Sequence, residues 1–175
     1  MARVPLIDEN ATPELAALSE KIRGARGGRL HDFYRALMHT PGLASAWFDF
    51  NNAVRFQTGL GDRERELVIM RVAALTGCEY VWKVHEAQYA PAAGVTPREI
   101  AAVRGSPAAG VFGGRERALL DYVDAITQNV AVPDATFEDL RRHFSDRETV
   151  DVTVLVAAYN MHTRVLRALR IGEGA

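Results

Sequence analysis

At 175 residues the chain has room for one domain with a short extension, which excludes a second catalytic domain. Hydrophobic residues at 48% and charged residues at 25% allow a sizeable core and exclude extensive disorder. With 21 Lys+Arg against 22 Asp+Glu the formal net charge is -1, so no bulk positive field attracts nucleic acid or an anionic membrane surface.

Taken in chain order, the first ten residues carry Arg3, Asp8 and Glu9 where a signal peptide would need an apolar run. No later stretch approaches the roughly 18 apolar residues of a membrane span, so a cytoplasmic protein with no membrane partner is expected. Thr12-Pro13, Thr40-Pro41 and Thr96-Pro97 each set a capping hydroxyl before a proline that suits only the first helical turn. Thr76-x-x-Glu79, Thr96-x-x-Glu99 and Ser145-x-x-Glu148 have capping-box spacing. Together with the apolar periodicity these signals predict helices at about 12–24, 30–38, 41–57, 62–76, 77–91, 96–103, 114–128, 134–143 and 145–169. No alternating strand pattern is present, so the fold class is all-α. Gly24 to Gly28 and Gly105 to Gly114 read as flexible connections. The first is too short, in a neutral chain, for an RNA-binding segment, and Gly59-Leu60-Gly61 lacks the third glycine and the preceding strand of a nucleotide-binding turn. The last helix is apolar around much of its circumference in its first half, and such a helix is normally buried within a domain or against another subunit. A homo-oligomer is one of the two arrangements that this helix allows.

Chemistry concentrates between Asp62 and Ala90, in two helices joined at Thr76-Gly77. In the second, Glu79, Lys83 and Glu86 form a solvated stripe, while Cys78, Val81, Trp82, His85 and Tyr89 share the opposite face. Cys78 and His85, seven residues apart, are then separated by about 10.5 Å along the axis, so a water, a substrate or a third side chain must bridge them. If Thr76 is the cap, Cys78 is the second helical residue, where free N–H groups and the helix dipole favour a thiolate, although Glu79 opposes this. Glu66 lines up with Met70 and Ala73 ahead of the apolar run Leu67 to Leu75, which only Arg71 interrupts. That places its carboxylate on an inward face, where burial raises a carboxylate's pKa toward the range useful for proton transfer.

Taken singly, each residue has a plainer role: Cys78 as a small core residue, His85 as a hydrogen-bonded core histidine, Glu66 as the partner of one of the many arginines. His31, His39, His143 and His162 show no metal-ligand spacing, so neither a metal nor another cofactor is expected. The single cysteine cannot form an intrachain disulfide.

The joint pattern resembles the carboxymuconolactone decarboxylase family, which includes the AhpD-type alkylhydroperoxidases. It carries an Arg-x-Arg-Glu-Leu helix start, then Leu-Thr-Gly-Cys-Glu-Tyr, a Trp, and a His seven residues after the Cys. A looser likeness runs from about Leu37 to Leu169, through Thr96-Pro97-Arg98-Glu99-Ile100, the Arg115 to Leu120 helix start and Tyr159-Asn160. The resemblance implies one AhpD-like helical domain over 1–175, with 37–169 as family core and 1–28 as an N-terminal helical extension. It also implies a dimer, trimer or hexamer and a small-molecule substrate. By the family pattern Glu66, Cys78 and His85 match the catalytic set, with Met70, Val81, Trp82 and Tyr89 lining the pocket. The second cysteine of the family's Cys-x-x-Cys is absent, its position being Val81. Three functions follow: a decarboxylase- or lactone-type enzyme using a Glu66/Cys78/His85 proton relay, a one-cysteine thiol peroxidase, or a helical assembly protein without chemistry.

Overall fold

The computed structural model describes residues 1–105 and 110–172. Among the described residues there are helices and no strands. In order they are α1 (Pro13–Gly24), α2 (Asp32–Leu37), α3 (Pro41–Phe56), α4 (Asp62–Leu75), α5 (Glu79–Val84), a π turn (His85–Tyr89), α6 (Ala90–Ala92), α7 (Pro97–Arg104), α8 (Gly114–Asn129), α9 (Asp134–Arg141) and α10 (Asp146–Leu169). Of the connection expected at Gly105 to Gly114, residues 106–109 lie outside the described residues. No described helix is long and apolar enough to cross a membrane.

The chain divides into two compact units, residues 1–53 with 166–175, and residues 54–165. In the first, Thr12 Oγ1 accepts from the Leu15 N–H at 3.2 Å and starts α1 as its spacing predicts. Its core is aromatic: Phe33 meets Tyr34 and Trp47 edge-on at 5.4 Å, and Tyr34 meets Phe48 at 5.8 Å.

In the second unit α4 is the axis, packed by α5, α7 and α8, and every residue from Arg65 to Ala73 is buried. Leu67, Val68, Ile69 and Met70 are wholly buried, as are Leu119, Leu120 and Val123 of α8 and Val152, Leu155 and Val156 of α10. The charged start of α4 ties it to its neighbours. Arg63 reaches Glu99 at 2.5 Å and Glu116 at 2.7 Å, while Arg115 joins Glu64 at 2.6 Å to Glu148 at 2.9 Å. Two of the glutamates that receive these arginines are capping-box residues, Glu99 with Thr96 and Glu148 with Ser145.

The junction between α4 and α5 departs from expectation. Thr76 caps the end of α4, its hydroxyl donating to the Val72 carbonyl at 2.7 Å, and it makes no capping box with Glu79. Gly77 takes the left-handed φ of +62°, Cys78 N–H donates to Ala73 O at 2.8 Å and Gly77 N–H to Ala74 O at 3.1 Å. This is the Schellman closure, in which glycine is the residue that turns the chain. Cys78 therefore sits at the N-cap of α5 and not at its second helical position, and its side chain makes no capping hydrogen bond. The predicted helical position of the thiol is corrected accordingly.

The helix expected over 77–91 is also broken into three pieces. Pro91 has no N–H to give, and its ring crowds the carbonyl four residues earlier. The wider π turn at His85–Tyr89, closed by Ala90 N–H to His85 O, lies directly before it.

Candidate active site

Glu66 faces inward from the second turn of α4, 1% exposed, and His85 opens the π turn, 5% exposed. His85 Nδ1 lies 2.5 Å from Glu66 Oε2. Within a helix, Cys78, Val81, Trp82 and His85 fall on one face, and all four are buried. Glu79, Lys83 and Glu86 face solvent opposite them. Met70, one turn beyond Glu66, is wholly buried in α4, and the half-buried Tyr89 lies with its ring 5.0 Å from that of His85. The carboxylate, the imidazole and Tyr89 are thus in direct association, while Cys78 stands about two helical turns before His85.

Three neighbours were not among the predicted site residues, although Arg65 and Tyr159 stand in the motifs quoted above. Arg55, near the end of α3, is 5% exposed, and its Nη2 lies 3.8 Å from Glu66 Oε1. Arg65 is 9% exposed, with Nε 3.7 Å from the same oxygen, Nη2 2.9 Å from Asp62 and Nη1 donating to Arg55 O at 3.1 Å. Tyr159 of α10 meets the His85 ring edge-on at 6.0 Å. That Glu66 could pair with an arginine was legible, but which arginine was not. Arg55 is eleven residues away on another helix, and nothing in its local pattern Asn-Ala-Val-Arg-Phe marks it.

Burial is the largest influence on His85 and pushes its pKa below the ordinary histidine value. Hydrogen bonding and charge from Glu66 oppose this, and Arg55 and Arg65 reinforce it. The ring is therefore a neutral imidazole near neutral pH. Its Nδ1–H donates to the Glu66 carboxylate, which leaves Nε2 as the basic nitrogen. For Arg55, burial acts to lower the pKa, but Tyr159, Glu66 and a Tyr89 hydrogen bond together carry it upward, so the guanidinium stays charged. Elsewhere, a cavity of about 400 Å³ is lined by Asp121, Thr136, Glu138, Asp139 and Arg142, and it includes none of the predicted site residues. Among the described residues no group of three His, Cys, Asp or Glu side chains could hold a metal ion.

Residues 41–125 match the carboxymuconolactone decarboxylase family model. A solved protein of unknown function from Agrobacterium tumefaciens, assigned provisionally to AhpD antioxidant defence, is 31% identical. It covers 76% of this chain and 91% of its own, with a TM-score of 0.71. This chain belongs to the carboxymuconolactone decarboxylase family. An uncharacterised peroxidase-related protein from Ralstonia eutropha JMP134, with an alkylhydroperoxidase AhpD core, shares the fold at a TM-score of 0.84 and 23% identity, over 98% of this chain and 93% of its own. The debrominase Bmp8, solved in complex with 2,3,4-tribromopyrrole, shares it at a TM-score of 0.82 and 17% identity, over 100% and 95%. The all-α, AhpD-like fold expected from sequence is thereby established. The family is one of related enzymes, and the last two neighbours share the fold with this chain.

Proposed function

We propose that the protein is a cofactor-free enzyme of the carboxymuconolactone decarboxylase type, acting by proton transfer on a small organic acid or lactone. The observation that carries this reading is the buried contact of 2.5 Å between Glu66 and His85. Glu66 fixes the imidazole's tautomer and supports the imidazolium that forms when Nε2 takes a proton. Cys78 serves as polar lining or as a proton donor on the same helical face. Neither step needs the second thiol that Val81 replaces.

The test is a panel of small lactones and β- or γ-keto acids, with carbon dioxide release and proton uptake followed for the wild type, His85→Gln and Glu66→Gln. A true general base loses about 10²- to 10⁴-fold in kcat when removed. A substrate turned over equally by all three proteins would refute the relay.

A second reading is favoured by the AhpD-associated relative and by Cys78 itself, namely a one-cysteine peroxidase. There the Cys78 sulfur attacks a hydroperoxide oxygen, an alcohol leaves and a sulfenic acid remains. Two equivalents of an external thiol then return the sulfur to the thiol, releasing a disulfide and water. Rapid labelling of hydroperoxide-treated protein by a dimedone-type probe at Cys78 would move the assignment to this reading.

We also infer a homo-oligomer. Support comes from α10, whose Val150, Val154 and Met161 share a face and are 61%, 39% and 39% exposed. Sedimentation giving only the monomer mass at micromolar concentration would remove it.

A further inference from the structure

We propose that Arg55, held in place by Arg65, is the anion-recognition element of this site, and that the substrate is held through a carboxylate lying in the plane of the Arg55 guanidinium. This deepens the preceding reading and rests on Glu66 and His85 being the reacting groups.

Two guanidiniums are buried against a single carboxylate oxygen, and neither makes a hydrogen bond with it at 3.8 and 3.7 Å. The other oxygen of Glu66 is committed to His85. The Nε atoms of both Arg55 and Arg65 are buried without a hydrogen-bond partner. A buried N–H left unpaired is costly, so a site that keeps two of them holds donors that a ligand would satisfy.

The two arginines have different tasks. Arg65 is tied by Asp62 at 2.9 Å and by its bond to the Arg55 carbonyl at 3.1 Å, so it positions the backbone from which Arg55 projects. Arg55 lies over the rings of Phe56 and Tyr89, each 4.9 Å from its central carbon. The in-plane N–H edges of the Arg55 guanidinium include its unbonded Nε–H. Those edges match the two oxygens of a carboxylate. The Phe56 ring, which also lies 5.4 Å from the central carbon of Arg65, belongs to a residue that is 55% exposed.

The experiment is a titration of the full-length protein with sodium benzoate and, separately, benzamide, followed through the arginine Nε–H resonances in ¹⁵N spectra and by calorimetry. Benzoate should shift two arginine Nε–H signals saturably and benzamide should not. Arg55→Gln should weaken benzoate binding about tenfold or more, and Arg55→Lys, which keeps the charge without the fork, should fall between. No saturable wild-type response up to about 50 mM, equal responses to benzoate and benzamide, or an unchanged Kd in Arg55→Gln would each overturn the proposal. The wild-type comparison decides even if Arg55→Gln does not fold. Since the titration involves no turnover, its failure leaves the relay standing, and failure of the relay leaves the benzoate result standing.

Discussion

Replacing Glu66 by glutamine keeps the shape of the side chain and removes its charge from between two buried guanidiniums. At the separations of 3.8 and 3.7 Å, Coulomb's law with an effective dielectric of about 20 gives roughly 4 kcal/mol of attraction to each arginine. Most of that offsets desolvation already incurred, so the measured loss should follow the pattern of broken buried pairs, about 3–5 kcal/mol. The Nδ1–H of His85 keeps an acceptor in the introduced amide oxygen but loses a charge-assisted bond, which keeps the sum in the same range. For a chain of this length that loss lowers Tm by about 6–20 °C. Urea denaturation at pH 7.5 is the assay, with m unchanged as the sign that both end states are intact. The double variant Glu66→Gln/Arg55→Met should be at least about 2 kcal/mol more stable than the sum of the single losses, because the second change removes the stranded cation. A loss below about 1 kcal/mol in Glu66→Gln, or strict additivity in the double variant, would show that the guanidiniums do not depend on this carboxylate.

Because the His85 pKa is lowered on folding, the unfolded chain binds the extra proton as pH drops through the ordinary value near 6.5. Stability should then fall toward acid by up to about 1.4 kcal/mol per pH unit, and His85→Gln should flatten that slope. Glu99 is held at about 2, first by its hydrogen bond to Arg63, so its contribution is complete above about pH 4.5 and is lost as pH falls toward 2. Glu99→Gln should remove this acid-dependent part and Arg63→Met a portion of it, because the Thr96 hydrogen bonds to Glu99 remain, and the pair together no more than Glu99→Gln alone, as read by thermal melts between pH 2 and 5. Val81→Cys should create or raise hydroperoxide reduction by a dithiol, since helical residues three apart have Cα atoms about 5 Å from one another, within disulfide reach of Cys78. No gain in a folded variant would mean that Glu66 and His85 do not activate a sulfur at that position.

What the sequence revealed and what it hid divide along physical lines. Thr12, Thr96 and Ser145 announced their helices because a cap is a local interaction among four residues. The inward Glu66 was legible from the apolar run behind it, which only Arg71 interrupts. Thr76 was misread because a threonine three residues before a glutamate fits a helix start, while Gly77 just beyond it fits a helix end equally well. The deciding bonds, from Cys78 N–H to Ala73 O and from the Thr76 hydroxyl to Val72 O, belong to the preceding helix. The π turn has no periodic signature of its own, and Pro91 marks only that some adjustment must occur nearby. The arginine partners of Glu66 were hidden for a different reason: on a chain with nineteen arginines, pairing across helices is set by packing and not by spacing.

Two buried arginine networks in the same unit show how a structural tie differs from a site. Arg71 donates from Nε and Nη2 to the two oxygens of Asp124, each at 2.6 Å, and from Nη1 to the carbonyls of Val103 at 2.9 Å and of Gly105. All three of its nitrogens are bonded, so it fastens α4 to α7 and α8 and needs nothing further. Arg55 and Arg65 are as deeply buried, yet both leave Nε unbonded and share one carboxylate that is already engaged by a histidine. A fold that required only packing would do better with apolar side chains at those positions, as replacements of buried ion pairs show. The unmet donors around Glu66 and His85 therefore weigh against the assembly-protein reading, which needs none of them. They weigh toward a site completed by an anionic ligand.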